Sequence, residues 1–192
     1  MFRKSRALKS WIASNGMIVR GIDTPLPRAV VEKKFGPFVI KSYIISSFMN
    51  EAKELNDYIN VFKNPAQIKN KSAFIKACAG VLKNLHSKGI YHSDLKSNNI
   101  LVTESEKDIW NFYFIDLDRV LFRKDISFYQ RANNLAQLNA SVSRLMTAKD
   151  RLKFFYFYAK DTQLYNNRKK YYRRILKISR TKKTEIYGIS FK

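Results

Sequence analysis

Four polar residues near the middle of the chain have the types and the spacing that phosphoryl transfer requires. Asp94 and Lys96 lie on a predicted loop between a helix and an apolar strand. Asn99 follows Asp94 by five residues, and Asp116 ends a later predicted strand. Phosphoryl transfer needs one group that orients and deprotonates the attacking hydroxyl, and oxygen ligands that hold magnesium against the phosphates. The pattern therefore predicts a phosphotransfer site.

Each of these residues has an expected role. Asp94 is the predicted catalytic base, and Lys96 is placed to neutralise charge that develops on the transferred phosphoryl group. Asn99 and Asp116 supply the oxygen ligands for Mg²⁺, since that ion prefers carboxylate and other hard oxygen atoms. His92 is expected to be a packing residue that supports the loop, and Asp118 to cap a turn.

The elements that position these residues follow from hydrophobic periodicity and turn residues. The order is a helix, a β-hairpin, a long helix, small strands and further helices, which indicates a segregated α+β fold. The predicted helices span Arg3–Val19, Leu55–Val61, Pro65–Lys88, Arg131–Leu145, Leu152–Ala159 and Asn166–Lys183, and the predicted strands span Ala29–Lys33, Phe38–Met49, Ile100–Thr103 and Ile109–Ile115.

Composition indicates a folded and strongly basic protein. The 192 residues are 45% hydrophobic, with 14 Phe and 11 Tyr, which is enough for a core. The net charge of +22 favours anionic partners. Nucleotide phosphates, nucleic acid and an acidic membrane face all remain open on charge alone. The aromatic cluster Phe154–Tyr158 is expected to belong to the core.

The remaining features limit the kinds of site and location. A lone cysteine, Cys78, excludes an intramolecular disulfide and is expected to be buried and inert. No apolar run is long enough to span a bilayer, and no signal peptide is evident, so we expect a cytoplasmic protein. His86, near the end of the long helix, is expected to meet solvent. The basic run Arg168–Lys183, with its interspersed Tyr and Ile, suits either a solvated helix face or contact with anionic lipid.

The loop pattern His-x-Asp-Leu-x-x-x-x-Asn, followed by a strand-borne Asp, resembles the catalytic loop and metal-binding Asp of protein kinases. Within that superfamily, the chain resembles the bacterial lipopolysaccharide core kinases, which phosphorylate Kdo or heptose sugars. The segments that carry this resemblance are 21–27, 42–45, 91–95, 98–102, 115–119 and 131–139.

This resemblance implies a protein-kinase-like, two-lobed fold, with ATP as the phosphate donor and a sugar hydroxyl as the acceptor. Asp94 corresponds to the family's base, and Asn99 and Asp116 to its metal ligands. We expect residues 1–49 to form a remnant N-terminal lobe and residues 50–192 a C-terminal lobe with a basic C-terminal helix. The expected partners are ATP, the lipopolysaccharide core and an anionic membrane surface at the cytoplasmic face of the inner membrane, with no specific nucleic acid.

The sequence departs from the kinase pattern at its start. Kinases pair a strand lysine with a helix glutamate to align the ATP phosphates. The opening helix has no acidic residue before Asp23, and no Gly-rich loop or lysine-bearing strand precedes it. We interpret this as a truncated N-terminal lobe.

Three other functions remain open. The chain is alternatively a degenerate pseudokinase that binds a partner or an anionic surface, another small-molecule or Ser/Thr kinase of the same superfamily, or a basic nucleic-acid binder.

Overall fold

The computed structural model describes residues 4–106 and 108–187. Its first part is a helix against a β-hairpin. Helix α1 (Arg6–Ile18) begins at Ser5, whose Oγ accepts a hydrogen bond from the Leu8 N–H at 3.1 Å. Strands β1 (Pro27–Phe35) and β2 (Phe38–Ser46) pair in antiparallel fashion around Gly36, which has a φ of 52°. The predicted helix and hairpin are therefore confirmed.

The remaining strands form two small sheets. Strand β3 (Lys53–Glu54) pairs with β5 (Ile100–Glu106), which pairs in turn with β6 (Ile109–Phe114). Strand β4 (Ile90–His92) pairs with β7 (Val120–Phe122). In β5, Ile100 and Val102 point into the core, as expected for a strand with one buried face.

Five further helices enclose these sheets. The predicted helix 65–88 begins as a 3₁₀ helix (Pro65–Asn70) and becomes α-helical at residue 71. Capping boxes at Ser127 and Thr147 open two of the later helices. The helices are α2 (Leu55–Ile59), α3 (Lys71–Ser87), α4 (Phe128–Ser141), α5 (Ala148–Ala159) and α6 (Arg168–Tyr187).

The core lies between α3, α4, α5 and the β5–β6 pair. Phe74 of α3 stacks on Tyr58 and meets the edge of Trp110, with ring centroids 5.1 and 5.3 Å away. Cys78 is buried, as expected, and burial raises the pKa of its thiol. Phe155 and Tyr158 of the aromatic cluster are also buried.

Strands β4 and β7 meet at a close backbone contact. The Arg123 N–H donates to the Gly89 carbonyl oxygen at 2.8 Å. Gly89 has a φ of 70°, and a Cβ atom there would lie 2.0 Å from the Arg123 oxygen. Only glycine fits this position without moving the backbone.

Helix α6 packs its apolar side against the rest of the fold. Tyr171, Ile175 and Ser179 are buried, and the Tyr171 ring lies 3.8 Å from that of Phe128 on α4. The Ser179 hydroxyl accepts a hydrogen bond from Asn139 at 2.9 Å. Tyr171 and Ile175 therefore belong to the core and are not available to lipid. Within the described residues, no helix has the length and apolar character needed to cross a bilayer.

Candidate active site

His92 precedes the predicted loop and forms hydrogen bonds that hold it in place. It is fully buried at the end of β4, and its Nε2 lies 3.0 Å from the Ile115 carbonyl oxygen. Its Nδ1 accepts a hydrogen bond from the Asp94 N–H at 3.3 Å, so the proton is on Nε2, which donates. Burial lowers the pKa of His92 and keeps the ring neutral. His92 therefore has the supporting role that the sequence predicts.

Asp94 and Lys96 lie side by side on the loop after β4. The Lys96 ammonium is 3.0 Å from Asp94 Oδ2. Both side chains are partly open to solvent, with 28% of Asp94 and 40% of Lys96 exposed. A carboxylate in this position can accept a proton from a substrate hydroxyl, and the adjacent cation can contact a phosphoryl group.

Asn99 joins the loop to the segment that carries Asp116. Its Nδ2 donates to the Asp94 carbonyl oxygen at 2.8 Å, which leaves Oδ1 as the atom able to bind a cation. The Ile115 N–H donates to the Asn99 carbonyl oxygen at 3.0 Å. Asp116 follows directly in the left-handed region, at φ 57° and ψ 56°. The structure thus brings together the four residues predicted from sequence.

The donor set around Asp116 fits Mg²⁺ better than a transition metal. Within the described ranges, no group of three or more His, Cys, Asp and Glu side chains is arranged to hold a metal ion. Mg²⁺ does not need such a group, because one or two protein oxygen atoms suffice when substrate phosphates and water complete the octahedron. Asp116, with 46% of its side chain exposed, and Asn99 Oδ1 are suitable ligands of this kind.

Asp118 does not cap a turn as expected. Its Oδ2 accepts a hydrogen bond from Nε of Arg6, at the start of α1, at 2.6 Å. The same guanidinium lies 4.0 Å from Asp116 Oδ1. Sequence reasoning missed this pair because its members are 112 positions apart in the chain.

Arg6 also lines an open cleft between α1 and the hairpin. The cleft has a volume of about 950 Å³ and lies next to the candidate site. One acidic residue, Glu32, faces it. The cationic side chains that line it are Lys4, Arg6, Lys9, Lys34 and Lys41.

The comparisons with known proteins agree with this geometry. Residues 2–158 match the family described as Lipopolysaccharide kinase (Kdo/WaaP) family. The chain belongs to this family. A solved structure of WaaP in complex with acyl carrier protein aligns with 90% of this chain and 76% of that chain, at a TM-score of 0.69 and 21% identity. The α+β, protein-kinase-like fold predicted from sequence is therefore confirmed. No curated protein sequence matches the chain significantly.

In this member of the Kdo/WaaP family, helix α4 holds the loop through buried amides. Gln137 Oε1 accepts from the Leu95 N–H at 3.2 Å, and its Nε2 donates to the Ser93 carbonyl oxygen at 2.7 Å. Asn134 Nδ2 donates to the His92 carbonyl oxygen at 2.5 Å. Both amides lie in the segment 131–139 that carried the resemblance, but periodicity alone gave them no role.

His86 belongs to the same support, so its expected exposure to solvent is wrong. The side chain is buried between Tyr158 and Asn134. Its Nδ1 lies 2.7 Å from the Tyr158 hydroxyl, and its Nε2 lies 3.1 Å from Asn134 Oδ1. Burial lowers the pKa of His86 to about 4. A chain of hydrogen bonds thus runs from α5 through α3 and α4 to the strand before the loop.

Proposed function

We propose that this chain is an ATP-dependent phosphotransferase that acts on a sugar hydroxyl of the lipopolysaccharide core, Kdo or heptose. The observation that carries the proposal is the position of Asp94, whose backbone N–H donates to His92, on a loop that is hydrogen-bonded to the Asp116 segment. Membership in the Kdo/WaaP family supports the choice of acceptor.

Each residue of the candidate site has a separate role in the proposed phosphoryl transfer. Asp94 orients the sugar hydroxyl and accepts its proton. Lys96 stabilises the charge on the phosphoryl group in transit. Asn99 and Asp116 would hold Mg²⁺, which neutralises charge on the ATP phosphates when bound. The cations of the α1–hairpin cleft are suited to the remaining phosphate charge.

In this proposal, residues 1–49 act as the N-terminal lobe and residues 50–192 as the C-terminal lobe. ATP is supplied in the cytoplasm, and the acceptor is a glycolipid, so the chain acts at the cytoplasmic face of the inner membrane. Because WaaP was solved with acyl carrier protein, a protein of that kind is also a candidate partner.

The decisive experiment compares Asp94→Asn with the native chain. Transfer of labelled phosphate from ATP to the lipopolysaccharide core should fall by about 10²–10⁴-fold, because the general base is lost. The melting temperature should change little, because the ion pair of Asp94 with Lys96 is open to solvent and such pairs contribute little to stability. Asp108→Asn, at the turn between β5 and β6 and away from the candidate site, is the matched control and should retain activity. Equal activity in the Asp94 variant would contradict the assignment.

A second candidate is a pseudokinase, favoured by one observation. The Arg6 guanidinium lies against both Asp118 and Asp116, where a metal-dependent kinase needs free carboxylate. Thermal-shift titration separates the two functions. Stabilisation by ATP that depends on magnesium supports the enzyme, whereas no stabilisation at saturating ATP supports the pseudokinase.

A further inference from the structure

Helix α6 presents a dense row of positive charge to solvent. We refer to the six exposed cations in its first ten residues, 168–177, as the cationic face of α6. The chain from 162 to 184 contains no acidic residue. Within the described residues, none of the six forms an ion pair with a carboxylate. The members of the cationic face are Arg168, Lys169, Lys170, Arg173, Arg174 and Lys177.

Aromatic rings hold two of these guanidinium groups at the surface. Arg168 lies over the ring of Tyr165, with its Cζ 4.4 Å from the ring centroid. Arg174 lies over the ring of Tyr129 at 5.6 Å. Such contacts limit the number of side-chain conformations that must be given up on binding. The face is therefore partly ordered before any ligand arrives.

The opposite side of α6 cannot insert into a membrane. Tyr171 and Ile175 are buried in the fold, and Tyr172 packs on Phe155 with ring centroids 5.3 Å apart. An amphipathic helix that enters the interface needs a free apolar side. Any partner of α6 is consequently bound by charge at the surface, with little burial of apolar area.

The cationic face is separate from the candidate active site. Helix α4 lies between them, because its Gln137 contacts the loop while its Phe128 and Asn139 contact α6. The segment that matches the family ends at residue 158, before α6 begins. The charge of this helix therefore has no role in holding the loop.

We propose that the cationic face docks this protein onto an anionic lipid bilayer by electrostatic attraction. The choice of lipid over nucleic acid rests on the proposed function, whose acceptor is a glycolipid. Each Lys or Arg near an anionic bilayer strengthens partitioning by roughly fivefold, and the attraction is screened within a Debye length. Six clustered cations are enough for reversible surface binding.

The test is cosedimentation of the full chain with vesicles of phosphatidylcholine, alone or mixed with phosphatidylglycerol. A fourfold α6 variant removes four charges from the cationic face. A control variant removes four exposed lysines from β1, the segment 60–63, α3 and the residue that follows α3, so the net charge stays matched. The variants are Lys169→Gln, Lys170→Gln, Arg173→Gln and Lys177→Gln, and for the control Lys33→Gln, Lys63→Gln, Lys76→Gln and Lys88→Gln.

The native chain should bind the mixed vesicles at low salt, release them at high salt, and ignore phosphatidylcholine alone. The α6 variant should bind about 600-fold more weakly, whereas the control should stay within severalfold of native. Equal weakening of both variants, or tighter binding of duplex DNA than of mixed vesicles at the same salt, would overturn the proposal. Asp94→Asn should bind as the native chain does, so loss of phosphotransfer with intact vesicle binding counts only against the proposed function.

Discussion

Nε of Arg6 lies 2.6 Å from Oδ2 of Asp118, and the same guanidinium stands 4.0 Å from the candidate metal ligand Asp116. This contact joins the first turn of α1 to the 3₁₀ turn after β6. It also places a positive charge beside the carboxylate of Asp116. The hydrogen bond and the charge of Asp118 raise the pKa of Arg6, so the charge is permanent.

Removing this charge should strengthen cation binding. In Arg6→Gln, repulsion at Asp116 falls and Asp118 loses its partner, so Mn²⁺ should bind the ATP-free chain severalfold more tightly. The effect should be modest because 75% of the Arg6 side chain is exposed and screened by solvent. Electron paramagnetic resonance of free Mn²⁺ measures the affinity. Lys9→Gln removes a cation from the same helix and cleft, and should leave the affinity unchanged; weaker binding in Arg6→Gln would show that the guanidinium supports the site.

Gln137 should act as a positioning residue for the loop. Gln137→Leu removes the acceptor for Leu95 and the donor to Ser93, and leaves buried backbone groups unpaired at a cost of about 1–3 kcal/mol. We expect kcat for phosphotransfer to fall more than tenfold, with KM for ATP little changed, because the displaced Asp94 no longer meets the hydroxyl.

Two further variants distinguish positioning from general stability. Gln137→Glu keeps an acceptor for Leu95 and should recover part of kcat. Asn133→Leu removes a hydrogen bond of 2.7 Å to the Tyr91 hydroxyl from the same helix, yet it does not touch the loop backbone. If Asn133→Leu lowered kcat as much as Gln137→Leu, the effect would belong to α4 stability and not to the loop.

The burial of His86 makes stability depend on pH. The folded-state pKa of about 4 lies below the ordinary value of 6.5, so the unfolded chain takes up the proton first as pH falls. The folded state is fully stabilised above pH 6.5 and loses stability as pH falls toward 4. The loss between pH 7 and pH 5 should be about 2 kcal/mol from this residue. His92 has a lowered pKa and acts in the same direction.

Urea denaturation at each pH measures this dependence. His86→Gln keeps an amide that can contact Asn134 and does not titrate, so its free energy of unfolding should fall less between pH 7 and pH 5. Its stability at pH 7 should be lower than that of the native chain, because the hydrogen bond with Tyr158 is altered. An identical slope for both proteins would show that His86 is not the titrating group.

The sequence predicted those parts of the fold whose signal is local. The predicted hairpin forms with a tight turn at Gly36, and the predicted helix 152–159 forms after the capping box of Thr147 and Asp150. Strands β4 and β7 were not predicted, because each has only three residues and so shows no periodicity. The pairing of Arg6 with Asp118 depends on tertiary structure and cannot be predicted from local sequence, because the two residues are 112 positions apart.

Some of the missed features did leave a signal. His86 follows Cys78 and Leu82 at steps of four, which places it on the buried side of α3. The same spacing joins Tyr171, Ile175 and Ser179 on α6, and it indicates packing against a neighbour. The polar character of His86 favours exposure, but its position on the apolar side of α3 favours burial. Buried polar groups are common where hydrogen-bond partners are present, and Tyr158 and Asn134 are the partners of His86.

The hydrogen bond between Gly89 and Arg123 closes the chain on itself around the whole candidate centre. Asp94, Lys96, Asn99 and Asp116 all lie within that closed stretch. A closed stretch of this kind costs little entropy to assemble, so these groups can take their places early in folding. Their mutual arrangement is then set within one stretch of chain, and the amides of α4 hold it from outside.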